Sequence, residues 1–342
     1  MWRILGRGRR PDGSSGSEGA AIEQTAVHER AGMLETTLPE FLALAGEPVE
    51  FRALIRQVTF AAKRVAAILR VAGLQGLLGS TGDVNVQGET VQRLDEYANE
   101  MFVNNLLRSP AISDLVSEEM REGMHLAQHN KGEFALLFDP IDGSSNLDVN
   151  LSLGSIFAVR RPQDVLADGH GQIAAGYVMY GPATVCVLAM PRHGVNFFTL
   201  DPSIGEFLFT RGPVQMPDRG AAYGVNEANA FGWNPRVAAF VEWLRGPGRH
   251  STRYSGALVG DFHRILVKGG VYLYPADREH PQGKLRLLYE AAPLAFIAAC
   301  AGGRAVDEAT DILDIVPRAI HQRTSLIIGS REEIDRLAPP RG

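Results

Sequence analysis

Cysteine is almost absent from this 342-residue chain, with only Cys186 and Cys300 present. They are too far apart for a CxxC or metal-ligand spacing and too few for a disulfide framework. Their neighbours, Thr184-Val185 and Ala298-Ala299, are small or apolar, so both are expected to be buried, reduced thiols. No run of about 18 apolar residues occurs, which argues against a membrane span. Basic excess is missing too. The net charge is -5 and the pI about 6.0, so no global positive field draws in nucleic acid. These absences leave a chain expected to be cytoplasmic, with neither nucleic acid nor membrane as partner.

Residues 1–32 lack apolar patterning. Gly, Ser and Arg dominate Arg7 to Ala20, so a disordered tail is expected, with Met33 as a second candidate start. Leu38 to Leu44 then reads as a short helix. Phe51, Leu54, Ile55, Val58, Ala62, Val65, Ile68 and Leu69 share one helical face. Gly73 to Gly88 is a glycine-rich loop, expected to be mobile unless held. A second amphipathic helix carries Val91, Leu94, Tyr97, Met101, Phe102 and Leu106. Short β-type runs follow, from Leu115-Val116 to Asn196-Phe197-Phe198. Beyond Gly212 helices and strands alternate, with helices at Pro235–Leu244, Leu258–Val267 and Leu287–Ala301. The expected organisation is the tail, a helix-plus-sheet unit over 33–212, and a second α/β unit over 213–338.

The chemistry concentrates in carboxylates at segment ends: Glu89, Asp95, Glu118, Glu119, Asp139 and Asp142, with Glu290 further on. Pro140 is expected to end its strand, so that the chain turns at Asp139. That turn gathers two carboxylates and the Ile141 carbonyl, the hard oxygen ligands that Mg2+ takes. Gly143-Ser144-Ser145-Asn146 adds N–H groups and hydroxyls suited to an anion. A cation site and an anion cradle sharing Asp142 point to metal-assisted hydrolysis of a phosphate ester. Lys284 and Arg286 are suitable phosphate donors.

Several stretches together resemble class I fructose-1,6-bisphosphatase. They are Asn85 to Glu89 with Leu94-Asp95, Val116 to Glu119, Phe138 to Asn146, Arg253 to Gly256, Asp261 to Arg264, Leu273 to Pro275, Gly283 to Glu290 and Ile320 to Arg323. The likeness spans about Thr37 to Glu333. Asp139 to Gly143 alone would indicate only a wider lithium-sensitive phosphatase superfamily; the Lys284 to Glu290 block narrows it. The resemblance implies an α/β fold, a layered αβαβα sandwich of two subdomains, and a homotetramer. It implies two or more Mg2+ ions, or Mn2+, held by Glu118, Asp139, the Ile141 carbonyl, Asp142 and Glu290. Glu119 and Asp95 would prepare the attacking water, and Glu89 would approach when its loop closes. Asp142, Gly143, Ser144 and Ser145 would hold the 1-phosphate. Asn226, Arg253, Tyr254, Tyr274, Lys284 and Arg286 would hold the sugar and 6-phosphate, Arg253 reaching a neighbouring subunit. His263, Arg264 and His321 are read as structural.

Hydrolysis of fructose 1,6-bisphosphate is thus expected, in gluconeogenesis or a carbon-fixation cycle. Sedoheptulose 1,7-bisphosphate, an inositol phosphate, or a non-catalytic binding role are the alternatives. Many family members bind inhibitory AMP through a Thr-Gly-Glu-Leu turn and a Lys-Tyr pair. Here those positions read Ala45-Gly46-Glu47-Pro48 and Glu133-Phe134, leaving Arg161, so AMP inhibition is expected to be weak or absent. Between Glu122 and Gly132 the redox insertion of plastid forms is missing.

Overall fold

A computed structural model of the chain describes residues 35–84, 90–126 and 132–338. The expected tail falls outside the described residues, as does Glu89. The first helix, α1 (Leu38–Leu44), opens on a reciprocal cap. Thr37 accepts from the Glu40 N–H at 3.3 Å while Glu40 accepts from the Thr37 N–H at 2.9 Å. α2 (Val49–Leu69) follows after Pro48, and β1 (Ser80–Val84), inside the stretch expected as a glycine-rich loop, pairs antiparallel with β2 (Thr90–Gln92) just beyond it. α3 (Arg93–Leu106) completes the first helical layer.

That layer covers an eight-stranded sheet. Its strands are β3 (Ile112–Ser117), β4 (Met124–His125), β5 (Phe134–Asp142), β6 (Leu153–Arg160), β7 (Ala174–Tyr180), β8 (Thr184–Met190), β9 (Gly194–Asp201) and β10 (Glu206–Arg211). They lie in the order β10-β9-β8-β7-β6-β5-β3-β4. All neighbours are antiparallel except β3 and β5. The sheet is buried on both faces. One face packs on α1–α3 through residues such as Phe51, Phe102, Phe138 and Phe198. The other face, with Ile156, Tyr177 and Val187, packs on helices from the second half of the chain.

The second half supplies β11 (Ala222–Gly224), α4 (Pro235–Arg245), β12 (Ser251–Thr252), α5 (Leu258–Lys268) and β13 (Val271–Tyr274). Then come β14 (Leu285–Arg286), α6 (Ala292–Cys300), β15 (Arg304–Val306), β16 (Arg323–Thr324), β17 (Leu326–Gly329) and α7 (Arg331–Leu337). β14 and β16 form a separate pair, and the other five strands form a sheet in the order β12-β11-β13-β17-β15. Side chains of α5 and α6, among them Phe262, Ile265, Leu294 and Ile297, bury against both sheets. α4 and α7 cover the outer face through Val237, Val241, Ile334 and Leu337. The layers therefore run helix, sheet, helix, sheet, helix, an α/β fold.

Three expectations change. Pro140 does not end its strand: β5 continues to Asp142. Asp139 pairs with Ile156 and Asp142 with Gly154, so Pro140 and Ile141 together oppose the single residue Ser155. This is a β-bulge, one of the few places where a strand tolerates proline, because the extra residue needs no ladder N–H. The helix expected over Leu287–Ala301 starts with a π-helical turn, Leu287–Ala291, and becomes α-helical only at Ala292. Pro293, lacking an N–H, sits in the first α-helical turn, where none is needed. Of the two thiols Cys186 is buried but Cys300 is partly exposed. Burial pushes them up to about 12 and about 11 respectively, so neither is a reactive thiolate.

Phe102 of α3 stacks on Phe138 of β5 with centroids 5.3 Å apart, and both are fully buried. Phe102→Ala is expected to destabilise the chain by about 3–5 kcal/mol, read from its denaturant midpoint; a cost below about 1 kcal/mol would contradict this packing.

Candidate active site

β3 and β5 are parallel, so their C-terminal ends lie side by side. Glu118 and Glu119 follow the end of β3, and Asp139 to Asp142 form the end of β5. The Glu118 N–H donates to the Phe138 carbonyl at 3.2 Å, extending the ladder by one step into the acidic turn. Asp95 comes from the first turn of α3, which Asn99 ties to β3 by accepting from the Ser117 hydroxyl at 2.7 Å. Glu290 rides on the π-helical turn, a feature often found where a helix is bent to place a functional side chain. Its Oε2 accepts from the Arg286 N–H at 2.5 Å.

Each half of the bulge is fixed by backbone donors. Asp139 Oδ1 accepts from the Ile141 N–H at 2.9 Å. Asp142 reaches across to the second half of the chain, accepting from the N–H groups of Leu258 at 3.2 Å and Val259 at 2.7 Å, at the open end of α5. Gly143 follows in a left-handed conformation, φ 75°, and a Cβ there would lie 2.7 Å from that of Ala257. Ser144 and Ser145 then open a 3-10 turn, Ser144–Val149.

These groups line one cavity of about 440 Å3. Asp95, Glu118, Glu119, Asp139, Asp142 and Glu290 form its acidic floor, beside Ile141, Gly143, Ser144 and Ser145. Tyr274, Lys284 and Arg286 form the facing wall. Arg286 is fully buried and directs Nη1 to the Lys284 carbonyl at 2.5 Å. Asn226, Arg253 and Tyr254 lie outside the lining. Asn226 caps a 3-10 turn by accepting from the Ala228 N–H at 3.2 Å. Arg253 is exposed and donates to the Thr252 carbonyl at 2.7 Å. Tyr254 is 42% exposed, its phenol raised by partial burial and then by the charges of Asp261 and Asp142. All three follow the ends of β11 and β12, which run parallel with β13. They therefore stand at the same strand-end edge as Tyr274, the usual ligand edge of parallel strands.

Sequence reasoning did not single out Tyr272, Leu285 or Gly256 as lining residues. Tyr272 was within reach, since strand alternation puts it on the same face as Tyr274. His263 and His321 are structural as expected: their Nδ1 atoms meet the hydroxyls of Tyr177 and Tyr289, each at 2.8 Å.

The acidic floor is electrostatically tense. Burial, followed by the like charges of Glu118, Glu290, Asp142 and Glu119, holds the Asp139 carboxyl well above the usual carboxylate range. Burial pushes Asp142 up to about 6 against the pull of its two backbone donors, and Asp261 adds to the rise. Among the described residues no three acidic or imidazole side chains stand ready at metal-ligating distances. The donor set nevertheless fits a hard divalent cation, because buried carboxylates that repel one another are relieved by positive charge among them.

A model of the fructose-1,6-bisphosphatase N-terminal domain matches residues 36–212, and one of the C-terminal domain matches residues 216–340. The chain belongs to the class I fructose-1,6-bisphosphatase family. A class 1 fructose-1,6-bisphosphatase of Trichormus variabilis is 47% identical over 311 residues, covering 88% of this chain and 89% of its own. Another, from a Synechococcus strain, is also 47% identical over 311 residues and is covered to 93%. The holo crystal structure of the Leishmania major fructose-1,6-bisphosphatase superposes with a TM-score of 0.85 at 38% identity, over 88% of this chain and 97% of that one. Membership of this family implies a requirement for a divalent metal ion. Among the described residues no helix is long and apolar enough to cross a membrane.

The raised carboxyl of Asp142 has a consequence for stability. The unfolded chain sheds that proton near the ordinary carboxylate value of 3.8 and the folded chain at about 6, so between these the folded state holds more protons. Stability without metal therefore falls as pH rises through this window, by roughly 3 kcal/mol at about 1.36 kcal/mol per unit. The metal-free chain is expected to melt higher at about pH 5 than at about pH 7.5, with a smaller difference in Asp142→Asn. A melting temperature that rises with pH, unaltered by Asp142→Asn, would contradict it.

Proposed function

We propose that the chain hydrolyses the 1-phosphate of fructose 1,6-bisphosphate to fructose 6-phosphate and phosphate, with Mg2+ as the activating ion. One observation carries the reading: a single cavity joins the carboxylates at the β3 and β5 ends to Lys284 and Tyr274 from the second half. Glu118, Asp139, the Ile141 carbonyl, Asp142 and Glu290 are the proposed holders of two or more ions. Bound there, the ions supply charge to the phosphoryl oxygens and a water of lowered pKa.

The chain's own groups do the rest. Glu119 and Asp95 orient the attacking water and take its proton, the role of a general base. Water oxygen bonds to phosphorus, the bond to the sugar oxygen breaks, and that oxygen leaves as a hydroxyl, the proton taken from the water being returned to it through solvent. Ser144, Ser145 and the Gly143 N–H hold the 1-phosphate in place. Tyr274 and Lys284 hold the sugar and the 6-phosphate, with Arg286 behind them as a buried positive charge. Asn226, Arg253 and Tyr254, at the same edge, complete the 6-phosphate end. Glu89, outside the described residues, is assigned to loop closure. The division near residue 212 separates the unit bearing most metal ligands from the unit reading the sugar.

Leu258 lines the cavity, and the second reading is that sedoheptulose 1,7-bisphosphate is accepted as well. The nucleotide response is expected to be lost. Arg161 donates to Glu133 at 2.8 Å and lies over the Phe134 ring at 5.2 Å, so its charge is already engaged. A cytoplasmic homotetramer is proposed from the family. Sedimentation equilibrium is expected to return four times the chain mass; a monomer at micromolar concentration would exclude the assembly.

Phosphate release from fructose 1,6-bisphosphate is expected to need Mg2+, to ignore micromolar AMP, and to fall by more than about a hundredfold in Asp139→Asn, the scale of removing one charge-stabilising group. Metal-independent turnover, or an Asp139→Asn variant with wild-type rate, would sink the reading. A higher kcat/KM on sedoheptulose 1,7-bisphosphate would transfer the assignment to that substrate.

A further inference from the structure

The bulge that gathers the proposed metal ligands is held from behind by two side chains with no place in the reaction. Ser155 of β6 is the residue opposite Pro140 and Ile141, and its hydroxyl donates to the Pro140 carbonyl at 2.6 Å. A serine hydroxyl has one proton, and this bond uses it. The contact between Ser155 Oγ and Tyr180 Oη, 2.8 Å, must therefore have the tyrosine as donor. Tyr180 ends β7, the next strand. A directed chain results, Tyr180 hydroxyl to Ser155 hydroxyl to Pro140 carbonyl, with all three residues buried.

The Pro140 carbonyl lies between Asp139 and Ile141, and the orientation of its peptide sets where the Ile141 carbonyl and the Asp142 side chain point. In a bulge the ladder no longer fixes that orientation. The same peptide carries the Ile141 N–H, which donates to Asp139 Oδ1 at 2.9 Å, so its two ends are held by Asp139 and by Ser155. Backbone donors fix the carboxylates of Asp139 and Asp142, while the carbonyl end of the peptide between them takes the Ser155 hydroxyl.

We propose that Ser155 and Tyr180 are positioning residues for the divalent-metal site, acting through the Pro140 peptide. This rests on the metal reading of the preceding section. Loss of the Ser155 hydroxyl removes its 2.6 Å bond to the buried Pro140 carbonyl and loosens the bulge at that peptide. Loss of the Tyr180 hydroxyl leaves the Ser155 bond in place but weakens it, because hydrogen bonds in a chain polarise one another.

The test is Mn2+ binding to the full chain without substrate, by titration calorimetry, beside fructose 1,6-bisphosphate kinetics at varied Mg2+. Ser155→Ala is expected to weaken Mn2+ binding by roughly three- to tenfold, the scale of one buried hydrogen bond. Tyr180→Phe is expected to do so by a smaller factor, and Ser155→Thr, which restores the hydroxyl, to return to within about twofold of wild type. KM for the bisphosphate at saturating metal stays unchanged in all three. Wild-type Mn2+ affinity in both Ser155→Ala and Tyr180→Phe would overturn the proposal, as would a Ser155→Thr as impaired as Ser155→Ala. Tyr180→Phe keeps the ring and carries the test alone should Ser155→Ala not fold. A wild-type chain that binds no Mn2+ would overturn the metal reading itself, a different result.

Discussion

The structure turns on one constraint: two carboxylates three residues apart must be buried together at the end of a central strand. A regular strand alternates its side chains between the two faces of the sheet. The bulge at Pro140-Ile141 breaks that alternation and brings Asp139 and Asp142 into one cavity. Everything nearby answers to it. β6 places Ser155 opposite the extra residue, Gly143 turns the chain sharply afterwards, and α5 offers its open N–H groups to Asp142.

The second sheet meets this arrangement with opposite chemistry. Its three parallel strands end in Asn226, Arg253, Tyr254 and Tyr274, and β14 brings Lys284 and Arg286 to the same cleft. One edge is rich in acceptors and the other in donors. A ligand bearing phosphate at both ends suits such a cleft. In the proposed reading the acidic edge would hold the cations that serve one phosphate, and Lys284 would serve the other.

Much of this was legible in the residues. Helical spacing marked α1, α2 and α3 closely, and apolar runs bounded by Gly and Pro marked most of the large sheet. The carboxylates at Glu118-Glu119 and Asp139-Asp142 stood out because charge at the end of an apolar strand is unusual. Three features did not show. Pro140 reads as a strand terminator by its missing N–H, and only the partner strand reveals that a bulge absorbs it. The π-helical turn at Leu287–Ala291 has the composition of an ordinary buried helix. Leu285 enters the cavity through tertiary packing, with no local signature, whereas Tyr272 shares the strand face of Tyr274. The positions of Asn226, Arg253 and Tyr254, outside the lining, likewise depend on tertiary packing.

The bonds from Leu258 and Val259 to Asp142 span 116 and 117 residues of chain. Contacts of such range close late, after shorter loops have formed. Until α5 arrives, Asp142 remains in water and carries no burial penalty. The desolvation that makes the acidic floor tense is thus deferred to the moment the two sheets come together. A nascent chain released before α5 has emerged carries the whole β5 sequence but lacks the two backbone donors of Asp142.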